Sequence, residues 1–149
     1  MVDRGKDSNM SNPTTTTEVD IESIQAAYVD AWADRDVDRI MSMHATDTQF
    51  WMHINEQPIT GLAAVRDAFT KIFDDYDDFR FTTYRIIHGP QHWVLDWALQ
   101  TSARTSDGRL RPLRWDCLDI VTVNDNGKVV RKDTFVDYPQ AEAAMQALT

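Results

Sequence analysis

The spacing of apolar residues changes once along this chain, after the acidic run Asp74-Asp75-Tyr76-Asp77-Asp78, and that change restricts the architectures open to it. Before the run, three- and four-residue steps dominate, the period of a helix with one buried stripe. After it, apolar residues alternate, the period of a strand with one buried face. Ile21, Ile24, Tyr28, Ala31 and Trp32 mark a first helix ending near Asp34-Arg35, with Thr17-Glu18-Val19-Asp20 read as a capping box in which Asp replaces Glu. Asp36 caps a short second helix carrying Val37, Ile40, Met41 and His44. Residues 48–54 form an aromatic-rich strand, and Leu62, Val65, Phe69, Ile72 and Phe73 mark a further helix with Thr60 as its cap. Segments 79–87, 93–105, 113–123 and 128–136 read as strands, joined through Gly89-Pro90, Ser106-Asp107-Gly108 and Asn124-Asp125-Asn126-Gly127. A last helix covers 140–148.

Helices followed by hairpin-linked strands specify an α+β fold, a curved antiparallel sheet with helices on one face. Such a sheet leaves a cavity between the layers, which is where a ligand is expected. The 149 residues suffice for one domain, taken as 18–149, behind a polar leader at 1–17 that has nothing to bury and reads as disordered. With 15 Lys+Arg against 24 Asp+Glu the net charge is −9, and an acidic surface repels phosphate backbones, so no nucleic-acid partner is expected. No apolar run is long enough to cross a membrane, and the leader lacks the apolar centre of a signal peptide, so the expected address is cytoplasmic. A single cysteine, Cys117, permits neither an intrachain disulfide nor a cysteine zinc site. His88 and His92 flank a turn and lack a third ligand, so no metal is expected.

The order Tyr28-Val29-Asp30-Ala31-Trp32, Asp36-Val37-Asp38, Gly61-Leu62-Ala63-Ala64-Val65 and, near the end, Gly127-Lys128-Val129-Val130 resembles SnoaL-like polyketide cyclases, ketosteroid isomerases and limonene-epoxide hydrolases. These share the nuclear transport factor 2-like fold, and the resemblance runs from Ile21 to Tyr138. It implies a cone-shaped domain whose pocket opens beside the first helix, and a homodimer formed through the outer sheet face. Ketosteroid isomerases use a tyrosine on the first helix and a protonated aspartic acid on a late strand as an oxyanion hole. The positions that match are Tyr28 and Asp119. Their general-base aspartate falls at Met52, which cannot move a proton, with His53 beside it. The hydrolase triad falls at Ala98, Gln100 and Thr134 and is therefore absent; Arg114-Trp115-Asp116 has similar letters one strand too late.

The residues themselves allow the same chemistry. Tyr28 can donate to a developing enolate oxygen. Asp119 alternates with Trp115 and Cys117 on an otherwise apolar strand, where a carboxyl group can stay neutral as a donor; the alternative is an arginine partner across the sheet. His53 is a candidate base, because an imidazole suits proton transfer at neutral pH, and Asp96, alternating with Val94 and Ala98, is a second. Trp32, Met52, Phe69, Phe73, Trp115 and Cys117 are expected to line a pocket for a flat, largely apolar molecule. Arg85, Arg104, Arg114, Arg131 and Lys132 read as solvated strand decoration. Two functions stay open. One is a cofactor-independent enzyme performing acid–base chemistry (isomerisation, cyclisation or dehydration) on a small apolar carbonyl compound. The other is a non-catalytic ligand-binding or dimerisation module of the same fold.

Overall fold

The Asp20 carboxylate accepts the Ser23 N–H at 3.2 Å and starts the first helix of the computed structural model, which describes residues 18–149. The cap is thus Asp20; Thr17 and the leader at 1–17 lie outside the described residues. Helix α1 (Ile21–Ala33) buries Gln25, Tyr28, Ala31 and Trp32, and Asp36 caps α2 (Val37–Ser42). Between them Arg35, at φ 57°, turns the chain, and its guanidinium donates to the carbonyls of Phe73 (3.1 Å), Tyr76 (3.3 Å) and Asp77. His44 does not extend the α2 stripe as its spacing suggests; it opens strand β1 (His44–Met52). Thr60 belongs to β2 (Ile59–Thr60) and caps nothing. Helix α3 (Leu62–Asp75) begins at Gly61, whose φ of 97° is accessible to a residue without a Cβ.

The remaining elements follow the alternation in the sequence: β3 (Arg80–His88), β4 (His92–Arg104), β5 (Leu110–Val123), β6 (Val129–Val136) and α4 (Tyr138–Gln146). The sheet order is β2-β1-β6-β5-β4-β3; β1 and β6 pair in parallel and every other pair is antiparallel. The fold is α+β, with α1 packed on β3 and β4 and α3 on β1. Among the described residues no helix is long and apolar enough to cross a membrane.

Aromatic rings fill the layer between α1, α3 and the sheet. Tyr28 meets Trp93 edge-on at 5.5 Å, and Trp32 packs on Phe69 and Phe73 at 4.9 and 5.2 Å. Burying each such side chain contributes about 1.5–3 kcal/mol. Asp78, from the acidic run, is a structural clamp: its Oδ1 accepts Thr101 Oγ1–H (2.7 Å) and Ser102 N–H (2.9 Å), fixing the end of the α3–β3 connection to β4.

Candidate active site

Between α1, α4 and the concave sheet face lies a cavity of about 610 Å³. Trp32, Trp93, Trp97, Trp115, Phe79 and Phe81 supply much of its wall. Tyr28, Cys117, Asp119, Lys132 and Thr134 belong to the same lining. Of the residues expected at a pocket, Tyr28, Trp32, Met52, Trp115, Cys117 and Asp119 line the cavity. Phe69 and Phe73 stand behind the Trp32 ring and do not reach it.

Strand register decides which side chains face in. Leu95 pairs with Asp119, Asp119 with Thr134 and Thr134 with Met52, giving one row across four strands on the cavity face. Because successive residues point to opposite faces, Met52 faces inward and His53 outward. His53 stacks between Trp51 (4.3 Å) and Phe135 (4.1 Å), and its Nε2 lies 2.7 Å from Asp133 Oδ1. Asp96 is also on the outer face, 3.6 Å from Arg85. The structure therefore brings Tyr28 and Asp119 to one volume and leaves His53 and Asp96 on the far side of the sheet.

Asp119 is neither a lone acid nor the partner of an arginine. Lys132 Nζ donates to its Oδ2 at 2.6 Å and Thr134 Oγ1–H to its Oδ1 at 2.8 Å. The Lys132 and Asp119 side chains are 7% and 5% exposed, so Lys132 is not the solvated decoration that its Arg131 neighbour suggests. Its ammonium lies 5.1 Å from the Trp32 ring centre and 6.0 Å from that of Tyr28, two further sources of stabilisation for a buried cation. Taking both charges out of water costs several kcal/mol per ion, which the pairing offsets only because the geometry is close and the second carboxylate oxygen is also hydrogen-bonded.

Behind Tyr28 runs a second buried chain. Tyr28 Oη lies 3.0 Å from His44 Nε2, and His44 Nδ1 lies 2.8 Å from Thr48 Oγ1. Burial, aided by the Lys132 charge, lowers the His44 pKa to about 3, so the imidazole is neutral. Burial raises the Tyr28 phenol well above its ordinary value, the Trp32 indole N–H partly opposing this and the Asp119 charge adding to it, so Tyr28 keeps its proton. Burial, with the Asp119 charge, pushes the Cys117 thiol up to about 12 and away from nucleophilic use. The sequence reasoning missed Lys132, His44 and Thr48. Counting across the β5–β6 hairpin from the Asn124–Gly127 turn would have placed Lys132 on the Asp119 face.

A SnoaL-like domain family model matches residues 26–132. Among solved structures, a protein described as a SnoaL-like polyketide cyclase from Shewanella putrefaciens superposes with a TM-score of 0.74 at 12% identity, covering 85% of each chain. The epoxide hydrolase/cyclase-like enzyme SalBIII, which has a role in pyran ring formation in the polyether salinomycin, gives 0.68 at 16% identity, covering 80% of this chain and 92% of its own. A ketosteroid isomerase-like protein from Erwinia carotovora atroseptica gives 0.55 at 14%, covering 78% and 93%. At these identities the likeness establishes the nuclear transport factor 2-like fold. No curated protein sequence matches the chain.

Proposed function

The chain belongs to the SnoaL-like domain family, and on that premise we propose that it is a cofactor-independent enzyme performing acid–base chemistry on a flat, apolar carbonyl compound held in the cavity. The observation that carries this is the Lys132–Asp119 ion pair set into an aromatic wall beside Tyr28. Buried ionisable pairs in a cleft are where proton-transfer sites concentrate.

The substrate carbonyl oxygen accepts from Tyr28 Oη–H and from a Lys132 N–H not used by Asp119; an ammonium has three donors and the ion pair takes one. Asp119 has one free lone pair on each oxygen after accepting from Lys132 and Thr134, and takes the acidic proton next to the carbonyl. The negative charge passes to the carbonyl oxygen, where the two donors stabilise it among aromatic side chains. Returning the proton to another carbon is isomerisation; attack of the enolate on a second carbonyl is cyclisation; expulsion of a neighbouring hydroxyl group is dehydration. Asp119 thus takes the base role first considered for His53 and Asp96, and Lys132 takes the second donor role first considered for a neutral Asp119.

The test is proton exchange at the carbons flanking the carbonyl of 2-tetralone in heavy water, followed by NMR. Exchange above buffer, lost in Asp119→Asn and reduced about 10²-fold in Tyr28→Phe, supports the reading. Tight binding of 2-tetralone without exchange selects the alternative, a ligand-holding module. That alternative is favoured by one observation: both Asp119 oxygens are already hydrogen-bonded. A homodimer through the outer sheet face, where Tyr84 and Phe135 are exposed, fits the same family, and a cytoplasmic address fits the lone cysteine.

A further inference from the structure

Thr48 is fully buried, and among the described residues its hydroxyl has a single partner, His44 Nδ1. A buried O–H needs an acceptor, so Nδ1 must carry a lone pair. The neutral His44 ring then holds its one proton on Nε2, and that N–H donates to the Tyr28 oxygen 3.0 Å away. A second donor, the Trp32 indole N–H, lies toward the same oxygen without reaching hydrogen-bond geometry. With a proton arriving from His44, Tyr28 cannot return its own along that line, and its hydroxyl proton is left for the cavity that Tyr28 lines.

We infer that His44 is a positioning residue whose Nε2–H turns the Tyr28 hydroxyl proton into the cavity, so that the group recognised there is an acceptor oxygen of a carbonyl or enolate. Thr48 fixes the tautomer, His44 fixes the hydroxyl, and the hydroxyl selects the ligand. A side chain that could only pack would not impose this direction: the opposite tautomer has the same heavy-atom positions but strands the Thr48 proton. The choice of an acceptor oxygen deepens the substrate class proposed above and rests on the cavity being the binding site, whereas the tautomer stands on the hydrogen bonds alone.

The two can be tested apart. Nitrogen-15 NMR of the ligand-free full chain reads the tautomer directly, and His44→Gln identifies the His44 signals among the 4 histidines. The expected result is a protonated Nε2 and an unprotonated Nδ1, unchanged from pH about 5 to about 8. A protonated Nδ1, or an imidazolium in that range, overturns the inference. The second measurement compares the affinities of 9-fluorenone and 9-fluorenol, flat molecules that differ in presenting a carbonyl or a hydroxyl. The parent chain is expected to favour the ketone by about fivefold to tenfold. Thr48→Val removes the proton donor to Nδ1, and the preference is expected to shrink to the part that Lys132 supplies; an undiminished preference overturns the relay. Failure of both molecules to bind a chain with the assigned tautomer counts against the proposed substrate class and leaves the role of His44 in place.

Discussion

Lys132 and Asp119 meet diagonally across the β5–β6 ladder: Asp119 lies opposite Thr134 and Lys132 opposite Val121, yet Nζ and Oδ2 are 2.6 Å apart. Both side chains are almost entirely buried. Lys132→Met or Asp119→Leu alone leaves a buried charge without its partner and is expected to lower unfolding free energy by about 3–5 kcal/mol in urea titrations. The double substitution is expected to recover most of that loss, because two apolar groups pack as well as the pair, and to abolish the proton exchange proposed above. Single variants within about 1 kcal/mol of the parent would show that the remaining charge reaches solvent.

Acid stability should report His44. Its folded pKa of about 3 lies below the unfolded value of 6.5, so between these values the unfolded chain binds the extra proton. Stability is then complete above about pH 6.5 and falls with decreasing pH by about 1.4 kcal/mol per unit until the folded ring also titrates. Asp78, lowered to about 2 by the hydrogen bonds from Thr101 and Ser102, acts in the same direction only below about pH 4. His44→Gln is therefore expected to flatten the limb between about pH 4 and 6 and leave the lower one, as read by urea midpoints at each pH.

Cys117 should be chemically silent while the fold is intact. Burial holds its thiol near 12 against an ordinary 9.0, so little thiolate exists at neutral pH. Although Cys117 lines the cavity, its alkylation by iodoacetamide at pH about 8 is expected to be slow in the folded protein for want of thiolate, and to become fast in denaturant. Rapid native-state labelling would show that the thiol ionises far more easily than its burial implies.

The outer sheet face offers a test of the proposed dimer. Phe135, 40% exposed, stacks on His53, and Tyr84 is 49% exposed on the same face. Phe135→Lys puts a charge there without touching the cavity, and is expected to shift sedimentation from dimer to monomer while 2-tetralone exchange persists.

The α+β class and most of the helices and strands were legible because those elements keep one apolar period along their length. Cavity residues were legible on the α1 stripe, as for Tyr28 and Trp32, and where one face of a strand is plainly apolar, as for Trp115, Cys117 and Asp119. Strand β1 defeats that reading: Phe50 and Met52 face the cavity while Trp51 and His53 make their own aromatic stack outside, so both faces look apolar. His44 misled differently. It stands three residues after Met41, a helical step, but the chain turns at Met43 and delivers it to a strand. Arg131 and Lys132 read as solvated decoration, although alternation sends Lys132 inward, where Asp119 is waiting across the ladder. Charge order along a chain carries no face; register does.

The last strand in the chain, β6, lies inside the sheet, between β1 and β5. A ribosome must therefore deliver residues through Val136 before β1 has its parallel neighbour, before Asp119 has its lysine, and before the aromatic wall has a floor. Until then two unpaired strand edges and a row of tryptophans face the cell together. The arrangement that shelters a charged pair from water in the finished protein makes its assembly a late event, and ties the competence of the site to completion of the sheet.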